Sequence, residues 1–134
     1  MKEILFRGQS ITTRKWVYGY YVIDTMGLEK IYIKSSDEIA RDPYYYIISK
    51  TIGQYTGLKD KNGVDIYEGD VISLVNKPCE KGAEHMEGIG VVKWVNNELK
   101  YAAVREKSYA MIMDWSGTES IEIIGNIHSN PELL

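Results

Sequence analysis

Turn-forming residues interrupt this chain so often that little room is left for a long helix. Asp24-Thr25-Met26-Gly27, Asn62-Gly63, Tyr67-Glu68-Gly69-Asp70, Asn96-Asn97 and Ser116-Gly117 punctuate it, and runs rich in Val, Ile, Tyr and Trp lie between them. Gly takes positive φ without steric cost, and Asp and Asn bond their own backbone, so these clusters reverse the chain. Asn62-Gly63 is the sharpest signal, because both residues accept positive φ in a two-residue hairpin loop.

The β-prone runs are Glu3 to Arg7, Trp16 to Ile23, Ile31 to Lys34, Tyr44 to Ile48, Thr51 to Leu58, Val64 to Ile66, Val71 to Val75, Gly88 to Val95, Leu99 to Val104 and Ile121 to Ile127. Residues 1–34 therefore read as a three-stranded meander, with Gly8 to Arg14 as a polar loop inside it. Ser36 is placed to cap one helical turn through Ala40, and Pro43 stops it. Asn76 to Glu87 reads as an exposed loop, and Tyr109 to Trp115 is ambiguous in period. In residues 53–128 a Gly-Asp turn, a strand, a loop and Gly90-x-Val92-x-Trp94 have the rhythm of a small SH3-like barrel. The expected fold is all-β or nearly so. It has about ten short strands, an N-terminal meander and a C-terminal SH3-like or similar small barrel, with at most one helical turn. One domain spans residues 1–134, with possible sub-lobes 1–50 and 51–134.

A chain of 134 residues buries enough surface to fold without a metal or disulfide, and no cofactor is expected. Cys79 is the only cysteine, so no internal disulfide forms and a reducing compartment is expected. No apolar run approaches the roughly 20 residues that span a bilayer. The N-terminus is charged too early for a signal peptide, which makes a bacterial cytoplasm the expected location.

Net charge is −3, yet the distribution is uneven. Residues 1–34 carry six basic and three acidic side chains, a balance of +3, whereas 35–70 and 71–134 are each at −3. The basic excess coincides with Trp16, Tyr18, Tyr20, Tyr21 and Tyr32. A basic face with stacking aromatics suits single-stranded nucleic acid, with Arg14, Lys15, Trp16 and Tyr18 as contacts. Strand tyrosines packing on a core explain the same pattern.

Other constellations are thin. Asp60, Asn62, Asp65, Glu68 and Asp70 suggest a calcium loop, but an EF-hand needs Gly at its sixth position and Gly63 stands at the fourth. Cys79 and His85 share a loop whose acids would raise a thiol pKa, and with His128 they lack zinc-site spacing. Glu68 and Asp70 occupy alternate positions and would share a face in an extended segment, as a divalent-ion or acid–base pair. Turn capping is their commoner use. Gln54, Tyr55 and Thr56, between Gly53 and Gly57, form the most site-like polar cluster, because glycines admit close approach.

Three blocks carry a family resemblance: Ile4-Leu5-Phe6-Arg7-Gly8 with Trp16-Val17-Tyr18-Gly19; Ile52 to Gly63 continuing through Ile66-Tyr67-Glu68-Gly69-Asp70; and Ile124-Gly125-Asn126-Ile127-His128 with Asn130-Pro131-Glu132-Leu133. In order and spacing the chain resembles the YopX family of phage and prophage proteins over its whole length. Family members often carry Pro-Glu before the threonine of the central block, where this chain has Ser49-Lys50. The resemblance implies a β-rich fold and a phage or prophage setting, and it maps no catalytic residue.

The functional expectation is a non-enzymatic module that binds a host or phage macromolecule, with a homo-oligomer allowed by exposed strand edges. A single-stranded nucleic-acid binder and a metal-dependent enzyme using Glu68 and Asp70 are the alternatives.

Overall fold

The computed structural model describes residues 4–33, 43–74, 88–95, 100–104 and 121–133. Among them are ten strands, two 3-10 turns and no α-helix. The fold is nearly all-β, as expected, and every strand pairing described is antiparallel. The chain divides into two compact units, Met1–Tyr55 and Thr56–Leu134.

The first unit holds β1 (Phe6–Gln9), β2 (Trp16–Ile23), β3 (Glu29–Tyr32) and β4 (Tyr44–Tyr46), in spatial order β4-β3-β2-β1. Phe6 and Arg7 of β1 also pair with Gln54 and Gly53 at the start of β5 (Gly53–Lys59). Strand β2 shows why the run folds this way. Val17 and Gly19 are buried while Tyr18 and Tyr20, which alternate with them, are exposed, the period-2 pattern of a half-buried strand. The sheet then curls until its ends meet: the Ile11 N–H donates to the Tyr46 carbonyl and the Ile48 N–H to the Gln9 carbonyl, both at 2.9 Å. Inside the curl, Val17, Ile31 and Ile47 are buried, with Phe6, Ile33, Tyr45 and Ile52 packed on them. Each fully buried aliphatic side chain contributes roughly 1.5–3 kcal/mol.

β1 runs through Gly8 and Gln9, residues that the sequence assigns to a loop. Tertiary packing overrides their weak strand propensity. Gly8 lies so close to Ile47 that a Cβ there would run into the isoleucine side chain. Thr51, expected inside a strand, sits in a 3-10 turn (Ser49–Thr51) and is buried. Its hydroxyl accepts from the Gln9 N–H at 2.8 Å and donates to the Ile48 carbonyl at 2.6 Å. Thr51→Val keeps the shape and removes both bonds. Chemical denaturation should show a loss of about 1–2 kcal/mol, the cost of a covered, unsatisfied amide.

The second unit contains the rest of β5, then β6 (Asp65–Tyr67), β7 (Asp70–Leu74), β8 (Gly88–Val95), β9 (Lys100–Val104) and β10 (Ile121–Asn126). Four of these form a sheet in the order β10-β7-β8-β9. Ile66, Ile72, Val92 and Ile121 form its core, with Leu58 and Ile123 against them. The register of β7 and β10 shifts between Ile123 and Gly125, leaving Ile124 as an extra, exposed residue. The expected C-terminal barrel is not closed among the described residues, because β9 and β10 are opposite ends of an open sheet. Curling belongs instead to the first unit. The expected helical turn at Ser36 to Ala40, the loop at 76–87 and the run at 109–115 lie outside the described residues.

One turn design appears twice. At Asp24 to Leu28, the Gly27 N–H bonds the Asp24 carbonyl, the Asp24 N–H bonds the Leu28 carbonyl, and Asp24 Oδ1 accepts from the Met26 and Leu28 N–H groups. Asp60 to Val64 repeats every one of these bonds, with Asn62, Gly63 and Val64 in the matching places. Gly27 and Gly63 both have φ of 79°. Asn62 is not in the left-handed region, so the hairpin takes a type I turn followed by a left-handed glycine, and the expected pair of positive φ values is corrected to one.

A candidate interaction surface

Register assigns side chains to faces, because paired residues in a sheet project the same way. In the first unit Tyr20 pairs with Tyr32 and Tyr32 with Tyr44, a row of three tyrosines across β2, β3 and β4. Val22, Lys30 and Tyr46 form the next row. Trp16 and Tyr18 precede them on β2, opposite Gln9 and Arg7 of β1. All ten side chains lie on the outer face of the curl, and none is acidic.

This face is open. Tyr18, Tyr20, Tyr44 and Tyr46 are 49%, 42%, 47% and 39% exposed. The Tyr32 and Tyr44 rings lie 5.4 Å apart and tilted, and Tyr44 and Tyr46 meet edge-on at 5.7 Å. Such pairs add about 0.5–1.5 kcal/mol each beyond the area they bury. Two cations underlie the rings. The Lys30 ammonium sits 4.4 Å from the Tyr44 centroid and 5.2 Å from that of Tyr46, and 3.4 Å from an Asp24 oxygen. Partial burial works against its charge, but the hydrogen bond to Asp24 and the nearby Tyr46 and Tyr32 outweigh that and hold its pKa above the ordinary lysine value. The buried Arg7 guanidinium lies over Trp16 at 4.5 Å. Both contacts are cation–π pairs.

The structure sorts the aromatic residues named from sequence. Trp16, Tyr18, Tyr20 and Tyr32 share this face, but Tyr21 pairs with Ile31 on the inner face and stacks on Phe6 at 5.3 Å. Arg14 and Lys15 are exposed in the turn between β1 and β2, next to Trp16. Arg14 has φ of 62°, and no other non-glycine residue among those described has positive φ. Lys30, Tyr44, Tyr46 and Arg7 were missed. The alternation of Tyr44 and Tyr46 was a visible signal, but pairing with β3 across an intervening segment was not.

The remaining candidates serve the backbone. Gln54 and Tyr55 are half-buried on β5, where Gln54 pairs with Phe6 and the Tyr55 N–H donates to the Leu5 carbonyl at 2.7 Å. Thr56 is buried in the second unit, and its hydroxyl donates to the Ile66 carbonyl at 2.8 Å and accepts from the Leu58 N–H. Gly69 at φ of 88° puts Glu68 in a turn, so the extended spacing assumed for Glu68 and Asp70 does not hold. Asp70 is buried and accepts from the Tyr67 N–H at 2.8 Å, a turn cap. Among the described residues no three His, Cys, Asp or Glu side chains gather as a metal-binding group. His128 is half-buried, its N–H bonded to Asn126 Oδ1, while Cys79 and His85 lie outside the described residues. Among the described residues no helix is long and apolar enough to cross a membrane.

The third sequence block folds into a reciprocal asparagine cap. Asn126 Oδ1 accepts from the His128 and Ser129 N–H groups, and Asn130 Oδ1 accepts from the Asn126 N–H. Gly125 admits Asn130, whose Oδ1 would be 2.5 Å from a Cβ there. The family model described as YopX protein matches residues 5–134. Among solved structures, protein EF1440 from Enterococcus faecalis is similar in fold, with a TM-score of 0.58 and 22% identity over 100% of this chain and 99% of that one. No curated protein matches.

Proposed function

The chain belongs to the YopX family, and for it we propose a non-enzymatic role, as a phage or prophage accessory module that holds a macromolecular partner in the bacterial cytoplasm. The observation that carries this reading is the outer face of the N-terminal sheet, where four exposed tyrosines stand on paired strands. Tyr and Trp dominate interface hot spots because they offer large contact area at little rotamer cost. Exposed apolar patches of this kind mark interaction sites on soluble proteins. Of Glu68 and Asp70, the two acids named for an enzyme, Asp70 is buried and accepts the Tyr67 N–H. The phage setting is supported by family membership.

Tagged protein and a Tyr20→Ala/Tyr44→Ala variant are passed through lysate of a phage-bearing host, and the retained macromolecules are identified. One species kept by the wild type and lost by the variant is the expected result. Equal retention by both would overturn the reading, as would a turnover activity abolished by Glu68→Gln. A homo-oligomer is proposed as the assembled form. Sedimentation velocity showing only monomer at micromolar concentration would remove that element alone.

A further inference from the structure

We infer that the occupant of the outer face is single-stranded nucleic acid, with bases stacked on Tyr18, Tyr20 and Tyr44 and the backbone drawn along Arg14 and Lys15. This inference rests on the binding-module reading and gives its partner a chemistry. Charge supplies the argument. The chain as a whole is at −3, yet no acidic residue stands in the tyrosine rows, and Arg14 and Lys15 are exposed at one end of them, while Arg7 is buried. Lys30 is largely covered and its charge is matched by Asp24 at 3.4 Å, so the exposed positive charge lies at Arg14 and Lys15. A partner that brings negative charge to Arg14 and Lys15 and flat rings to the tyrosines is complementary to this arrangement. An unpaired strand brings both, whereas a duplex hides its base faces.

Arg14 also stands out by its backbone. A left-handed conformation costs an ordinary L-residue on the order of 1–2 kcal/mol, and the other left-handed positions among the described residues, 27, 57, 63 and 69, are all Gly. At Arg14 the chain keeps an exposed cation in that conformation instead. The turn uses that conformation, since the Arg14 N–H donates to the Ser10 carbonyl at 2.9 Å and the Ser10 N–H to the Lys15 carbonyl at 3.0 Å, and it leaves the Arg14 side chain exposed just ahead of Trp16. Trp16 is less suited as a stacking residue than sequence suggests, because its ring is engaged with the Arg7 guanidinium.

The test is fluorescence anisotropy with labelled oligothymidylate and oligouridylate of about 12 nucleotides, a duplex of equal length, and polyglutamate as an anionic chain without bases. Single strands should bind more tightly than the duplex and more tightly than polyglutamate. With two phosphates neutralised, affinity should fall about sevenfold between roughly 50 and 200 mM salt, and Arg14→Gln/Lys15→Gln should flatten that slope. Each of Tyr20→Ala and Tyr44→Ala should weaken binding about tenfold. Tyr20→Leu preserves the strand and removes the ring, and should match Tyr20→Ala if stacking is the cause. Absent binding at low salt, polyglutamate binding equally well, or unchanged affinity in the tyrosine variants would overturn the inference. If lysate capture then still yields a protein that depends on Tyr20 and Tyr44, the module reading stands and only the nucleic-acid assignment falls. If neither assay depends on these residues, both fall.

Discussion

Asp60→Ala is expected to destabilise the protein by about 3 kcal/mol, far more than the same change at Asp24. The two aspartates make the same turn, so the difference isolates one structural fact. Asp60 is buried, and its second carboxylate oxygen accepts from the Ile123 N–H of β10 at 3.1 Å. Removing the side chain strands the N–H groups of Asn62, Val64 and Ile123, each of which then loses a bond to a charged acceptor. Asp24, in contrast, serves an exposed hairpin whose amides find water. Asp60→Asn should fall between wild type and Asp60→Ala, since one acceptor survives. Urea denaturation of the three proteins and of Asp24→Ala measures the series. Equal effects at both aspartates would show that the reach to β10 contributes nothing.

The same carboxylate sets an acid limb to stability. Burial raises the Asp60 pKa, but the bonds from Val64, Ile123 and Asn62 and the charge of Lys61 outweigh it and leave the pKa below its ordinary value. A depressed folded pKa means that the unfolded chain takes up the proton first. The contribution is thus complete above the unfolded value, about 3.9, and is lost as pH falls through the folded one. The stability gap between wild type and Asp60→Asn should narrow below about pH 4 and stay constant above about pH 5.

Gly19→Ala is the second large effect. A Cβ at this position would overlap the Tyr32 carbonyl oxygen and crowd the Ile33 Cα, both backbone atoms of the neighbouring segment. Flexible side chains yield to a new methyl; a hydrogen-bonded strand does not. The cost should reach about 3 kcal/mol, at the upper end of overpacking. Gly27→Ala is the control, because nothing lies within 4 Å of its Cβ and only a φ of 79° opposes the change. That control should lose about 1 kcal/mol. Thermal melts of both variants would decide between steric overlap and backbone strain.

Legibility in the sequence followed locality. Trp16–Ile23 and Gly88–Val95 are strands at the bounds their β-branched and aromatic content predicts. The Asp24 and Asp60 hairpins were visible too, since a turn is decided by four or five neighbours. Gly8 and Gln9 were not, because their place in β1 comes from Ile47 and Thr51, some forty residues on. For the candidate surface, alternation showed Tyr18 and Tyr20 side by side. It could not show that Tyr44 and Tyr46 complete the face, nor that Tyr21 turns inward. Strand order is a long-range property, and one slip in register would have exchanged the two faces. Glu68 and Asp70 misled for a related reason: a left-handed glycine between them breaks the extended spacing on which pairing them depended.

The bond between Asp60 and Ile123 spans 63 residues, and that span sets an order in time. Strands β1 to β4 are near neighbours along the chain, so their contacts can close early at little loop entropy. The sheet of the second unit has no such freedom. Its β7 edge and the second Asp60 oxygen both wait for β10, which leaves the ribosome on the order of seconds after β4 at roughly 5–20 residues per second. Through that interval Val71 and Ile72 stand without their final partner. Until β10 arrives, the nascent second unit carries exposed apolar surface and an unpaired strand edge, the features that make a folding chain aggregation-prone.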